Sequence, residues 1–160
     1  MFPSAEVIGT DLSPNQPTFT PPNCKFEIDD ANLEWTWPDN KFDFVHMRYM
    51  FGSIEDWTRL YKQAFRVCKP GGWLEDYESS AQFQSDDGTV LPDSPMDQWS
   101  KVFWEGGRKF GRTIRVVEDD IQRKAMEAAG FVDIEVRDFK VCRPMTTPPR
   151  SRALPLTRFR

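Results

Sequence analysis

The feature that most constrains this chain is a one-sided apolar stripe that stops at a Pro-Gly-Gly break. Ile54, Trp57, Leu60, Tyr61, Ala64, Phe65 and Cys68 recur at helical spacing, and Lys69-Pro70-Gly71-Gly72 ends the run. The spacing predicts a helix over 53–68, with Ser53 as its cap and Asp56 completing a capping box. Strand-like runs flank it, Phe42–Met47 before and Trp73–Glu78 after. A helix with one apolar face between two strands must cover a sheet.

The rest of the chain repeats that alternation. Glu6–Thr10 is β-branched and apolar and predicts a buried strand, with Asp11 at its tip and Leu12-Ser13-Pro14 as a turn. A Pro-rich connection, Pro14 to Pro22, leads to Lys25–Ala31, whose apolar and polar residues alternate as in a half-exposed strand. Ser94-Pro95-Met96-Asp97 opens a second helix, with Pro95 in its first turn, and Gly106-Gly107 weakens its later part. A third helix is predicted from about Glu118 to Ala129. It has three acids at its start, Gly130 at its stop and a bulged strand, Phe131–Cys142, after it. Strands alternating with helices predict an α/β three-layer sandwich with a mainly parallel sheet.

Charge and cysteine content narrow the function. The net charge of −4 gives no reason to expect a nucleic-acid partner. It conceals an asymmetry: residues 1–139 hold all 25 acids against 15 Lys and Arg, whereas 140–160 hold six Lys and Arg and no acid. That basic, Pro/Arg-rich segment, 143–160, reads as a disordered tail. No apolar run is long enough for a membrane span, and the start at Met1-Phe2-Pro3 does not read as a secretory signal. The three cysteines, Cys24, Cys68 and Cys142, form no CxxC pair. They predict neither a zinc site nor a disulfide framework, and point to an intracellular, cytoplasmic or nuclear setting.

Polar clusters fall at three predicted strand ends: Asp11, Asp29-Asp30, and His46 through Arg48. In doubly wound sheets, ligands bind at the carboxyl ends of the strands, where a carboxylate can accept hydrogen bonds from a ribose diol. Each cluster has a plainer reading: Asp11 as a turn cap, Asp29-Asp30 as a solvated strand end, His46 as a structural histidine.

Taken together, four stretches resemble class I S-adenosylmethionine-dependent methyltransferases. More narrowly, they resemble fungal methyltransferase-domain proteins of the trans-aconitate methyltransferase and secondary-metabolism regulator type. The stretches are Glu6–Pro14, Phe26–Ala31, Phe42–Arg48, and Leu60–Leu74 with its Lys69-Pro70-Gly71-Gly72-Trp73-Leu74. Met126–Phe131 resembles the late helix-to-strand turn of that family. The resemblance covers residues 4–142, as a partial methyltransferase domain.

The resemblance implies S-adenosylmethionine as cofactor. Asp11 would hold the ribose hydroxyls, Leu12 would pack on the adenine, and Asp30 would accept from the adenine amino group with the Ala31 backbone beside it. His46–Tyr49 would border the methyl-transfer site. His46 is the weak catalytic candidate, and Glu75, Tyr77 and Glu78 are further candidates by position. No metal site is implied, and the methyl acceptor is unknown.

The resemblance also implies a first strand and glycine-rich loop upstream of Phe2, and a last antiparallel strand after Cys142. The expectation is therefore an incomplete Rossmann-like sandwich lacking its first and last strands, inactive as this chain and able to self-associate through exposed sheet edges. A non-catalytic interaction remnant is the alternative. An NAD-dependent oxidoreductase is a weaker one, because no Tyr-x-x-x-Lys set is present.

Overall fold

The computed structural model describes residues 3–141 and 157–158. The chain divides into two compact units, Met1–Thr36 and Trp37–Arg160.

The first unit is a two-stranded parallel sheet. β1 (Val7–Asp11) pairs in register with β2 (Cys24–Ile28), from Val7 opposite Cys24 to Asp11 opposite Ile28. Parallel neighbours need a long return path, which the Pro-rich stretch provides without a helix. At Gly9 a Cβ would stand 2.5 Å from the Phe26 ring, so only glycine lets that ring cross β1. The expectation that Glu6–Thr10 is buried does not hold. Val7 is 45% exposed, because this pair of strands is a sheet of its own.

In the second unit, β3 (Phe42–Arg48) runs parallel to β4 (Cys68–Tyr77), and α1 (Trp57–Val67) is the crossover between them. α2 (Pro95–Lys109), α3 (Ile121–Ala129) and β5 (Thr157–Arg158) follow. The sheet order is β3-β4-β5, with β5 antiparallel. The core lies between α1, α3 and one face of β4, where Leu60, Tyr61, Ala64, Val67, Leu74 and Met126 are buried. Phe65 meets Phe131 edge-on at 5.3 Å. No helix among the described residues is long and apolar enough to cross a membrane.

Several expectations need correction. β1 and β3 fall in different sheets, β1 with β2 and β3 with β4. α1 begins at Trp57, not Ser53. Asp56 is extended and accepts from Arg59 N at 3.0 Å, so it is the cap itself and not the third residue of a capping box. Lys69–Gly72 is a bulge within β4: Phe42 pairs with Cys68, and Phe44 next pairs with Trp73. Gly71 there has φ +79°, and a Cβ on Gly72 would meet Asp43 O at 2.9 Å.

α2 continues through Gly106-Gly107 to Lys109. The three acids precede α3, because Asp120 adopts a left-handed conformation (φ 52°) that starts the helix after it. Residues 131–141 form no strand. Asp133 is also left-handed (φ 54°), and beside β4 the antiparallel neighbour is β5. The segment 143–160, expected as a tail, lies outside the described residues except for Thr157–Arg158, which pair antiparallel with β4.

Loss of the α1 cap gives a direct test of this boundary. Asp56→Ala should cost about 1 kcal/mol of stability, read as a lower midpoint in urea unfolding. An unchanged midpoint would return the helix start to Ser53.

Candidate functional site

The carboxyl ends of β1 and β2 gather the first group of sequence candidates. Asp11 closes β1. Its Oδ1 accepts from Ser13 N at 2.8 Å, and its carbonyl accepts from Asp29 N at 3.1 Å. The turn-cap reading of Asp11 is thus correct for one oxygen; Oδ2 carries no hydrogen bond among the described residues. Asp29 Oδ1 accepts from Asp30 N, and Asp30 Oδ1 accepts from both Asn32 N (2.9 Å) and Asn32 Nδ2 (3.1 Å). Ala31 O accepts from Trp35 Nε1 at 3.3 Å, which fixes the turn after Asp30. Leu12 beside Asp11 is 69% exposed, an apolar side chain with its face uncovered. Asp11, Leu12, Asp30 and Ala31 therefore share one end of one small parallel sheet.

The second group lies toward the carboxyl ends of β3 and β4. His46 stands opposite Glu75 in the ladder, and its Nδ1 lies 2.7 Å from Glu75 Oε2. With Nδ1–H donated to the carboxylate, the Nε2 lone pair is left to accept a proton. Further along, Tyr49 is left-handed (φ 56°), its N donates to Tyr77 O, and its ring meets the Tyr77 ring at 5.4 Å. Arg48 lies over the Tyr49 ring at 5.1 Å. Glu78 accepts from Met50 N at 2.6 Å and from Phe51 N at 3.1 Å. One carboxylate thus ties down the loop that leaves β3.

Sequence reasoning missed the buried group behind this end of the sheet. Tyr61 OH donates to Asp76 Oδ2, as does Gln122 Nε2 at 3.0 Å. Asp76 Oδ1 is buried without a partner among the described residues. Burial raises the Asp76 carboxyl above its usual range despite these donors, and burial with Asp76 alongside raises the Tyr61 phenol. The signal was available. Asp76 shares a strand face with Leu74, so an acid on the buried side had to find a donor.

Glu78 follows from the same burial. Desolvation, then the Asp76 charge, push its carboxyl up to about 7, against the pull of the two N–H bonds. Its proton is therefore held more tightly in the folded chain than in the unfolded one. The resulting stability is fully present below the ordinary carboxyl range and is lost as pH rises toward about 7. Asp76 acts in the same sense. Urea midpoints should fall between about pH 5 and pH 8, and Glu78→Gln should flatten that slope. A wild-type midpoint that rises over this window would contradict the burial argument.

Comparison with known proteins identifies the family. A methyltransferase domain family matches residues 2–136. Methyltransferase pytC of Aspergillus terreus is 40% identical over 135 residues, covering 84% of this chain and 41% of that protein. The secondary metabolism regulator LAE1 of Cochliobolus heterostrophus is 34% identical over 148 residues, covering 91% of this chain and 47% of that protein. The chain thus spans less than half the length of either relative. An S-adenosylmethionine dependent methyltransferase from Mesorhizobium loti shares the fold at TM-score 0.57 and 20% identity, over 84% of this chain and 68% of that one. The fold is Rossmann-like α/β, as expected, and the oxidoreductase alternative falls. By the family match and these identities, the chain belongs to the methyltransferase domain family.

Proposed function

We propose that this chain binds S-adenosylmethionine and serves methyl transfer to an acceptor in fungal secondary metabolism. The observation that carries the reading is the pair of carboxylates, Asp11 and Asp30, at the carboxyl ends of two parallel strands. These residues fit the nucleoside half of that cofactor. Asp11 has an oxygen without a hydrogen bond to offer a ribose diol, and Leu12 has an uncovered apolar face for the adenine. Asp30 is the acceptor for the adenine amino group, beside the Ala31 backbone. The cofactor supplies an electrophilic methyl carbon on a positively charged sulfur.

For the acceptor's proton, we assign His46. Glu75 holds its Nδ1 and orients the ring, so Nε2 is the basic atom. Glu78 and Tyr77 act on the Tyr49–Phe51 loop as positioning residues. The inferred setting is the cytoplasm or nucleus, in keeping with free thiols at Cys24 and Cys68. A non-catalytic, self-associating role is the second reading. It is favoured by the edges of β1, β2 and β3 that lack a neighbouring strand among the described residues.

Calorimetric titration of S-adenosylmethionine into the chain tests the first reading. Asp11→Ala should weaken binding most. Losing hydrogen bonds to a charged acceptor costs about 1.5–3 kcal/mol, or about 10- to 150-fold in affinity. Asp30→Ala should weaken it less. Equal affinity in wild type and Asp11→Ala would remove the ribose assignment, and absence of binding in the wild type would favour the second reading.

A further inference from the structure

A cavity of about 540 Å³ opens beside the loop that leaves β3, lined by Gly52, Val102, Phe103, Phe110, Arg112 and Ile114 among others. Its size falls within the range of small-molecule sites. Its position follows the α/β rule, since Gly52 lies just beyond the carboxyl end of β3.

The frame of the cavity is backbone. Gly52 N donates to Thr113 O at 2.9 Å, and Arg112 N donates to Gly107 O at 2.9 Å, so residues 112–114 are held to both the loop and α2. Two glycines permit this approach. A Cβ on Gly107 would stand 2.5 Å from Arg112 O, and one on Gly52, at φ +73°, would stand 3.2 Å from Ile114 Cγ1.

The chemistry of the walls is specific. Val102 is 67% exposed and Phe110 83%, with Phe103 partly exposed between them. Apolar surface left open around a concave site gains free energy when a ligand covers it. Among the lining residues, Arg112 alone is charged. It bonds Glu55 Oε1 at 2.8 Å, in an ion pair open to solvent on both sides. A guanidinium has five N–H donors in a planar fork, so an anionic ligand can share it. Exposed ion pairs of this kind are easily exchanged.

We propose that this cavity binds a flat aromatic small molecule carrying a carboxylate, its ring against Val102, Phe103 and Phe110 and its anion on Arg112. On the methyltransferase reading above, on which that identification rests, this molecule is the acceptor.

Titration of naphthalene carboxylate and of its neutral counterpart, naphthalene methanol, into the full chain tests the proposal by saturation-transfer NMR and calorimetry. The carboxylate should bind about tenfold more tightly, the worth of one charge-assisted hydrogen bond. Arg112→Gln should erase that preference while keeping the alcohol's affinity, and Val102→Asp should weaken both probes at least tenfold. Both substitutions lie on exposed side chains, and melting curves establish that each variant folds. Equal binding of the two probes by the wild type, a preference that survives Arg112→Gln, or no binding of either probe would overturn the proposal. The last result would leave the apolar face of α2 to a macromolecular partner. Asp11→Ala should leave naphthalene carboxylate binding unchanged. Absence of S-adenosylmethionine binding by the wild type, with carboxylate binding intact, would sink the methyltransferase reading and spare the cavity.

Discussion

Parallel pairing of β3 with β4 is the constraint from which the rest of the second unit follows. Two parallel neighbours cannot be joined by a tight turn, so the chain must cross the sheet, and α1 is that crossing. Its apolar stripe then lies against β4, and Leu60, Ala64, Val67 and Leu74 are buried there. The same stripe carries Tyr61 inward, and a buried phenol needs an acceptor. Asp76, on the Leu74 face of β4, is that acceptor. Burying Asp76 for this purpose raises the cost of any second charge nearby, and Glu78, two residues on, bears it. Glu78 meets part of that cost by accepting two backbone N–H groups from the loop after β3. A requirement of chain connectivity thus ends as a fixed loop at the carboxyl end of the sheet.

Close backbone approach is the second recurrent device. Gly72 lets β4 bulge past Asp43, Gly107 lets Arg112 pack on α2, and Gly9 lets Phe26 cross β1. In each case a single Cβ would collide with backbone or with an aromatic ring. The bulge has a consequence for register. It absorbs Lys69–Gly72, so that His46 falls opposite Glu75 rather than beside it, and the two side chains point to the same face. A one-residue slip would separate them.

Much of this was legible in the sequence where the signal is local. The α1 stripe, the Ser94-Pro95 start of α2, Gly130 at the end of α3 and the acids closing β1 and β2 all depend on neighbours within a few residues. What escaped depends on distant partners. Nothing in the sequence of residues 131–141 tells that their alternation fails to form a ladder. The sheet division between β2 and β3 is likewise a matter of which strand is present to pair. The Tyr61–Asp76–Gln122 group joins residues up to 61 positions apart, on three elements. The cavity joins α2 to Gly52 and Ile114, whose roles as spacer and wall appear only when the backbone is folded.

The acids of this chain therefore divide by strand face and by position along the strand, not by residue type. Asp76 and Glu78 share one face of the strand, and Asp76 Oδ2 and both Glu78 oxygens accept from scaffold donors on α1, α3 and the loop after β3. Glu75, one residue away on the opposite face, is left to orient His46. Asp11, at the last position of its strand, keeps an oxygen without a hydrogen bond where the peptide direction turns away from the sheet. Strand alternation assigns scaffold acids to one side and orienting acids to the other, and strand termination leaves Asp11 at the sheet end, where the proposed ribose contact lies. Moving any of these carboxylates by one residue would exchange its role for its neighbour's. That is why the pattern of two strand-end acids, and not the acidity of the chain, carries the functional argument.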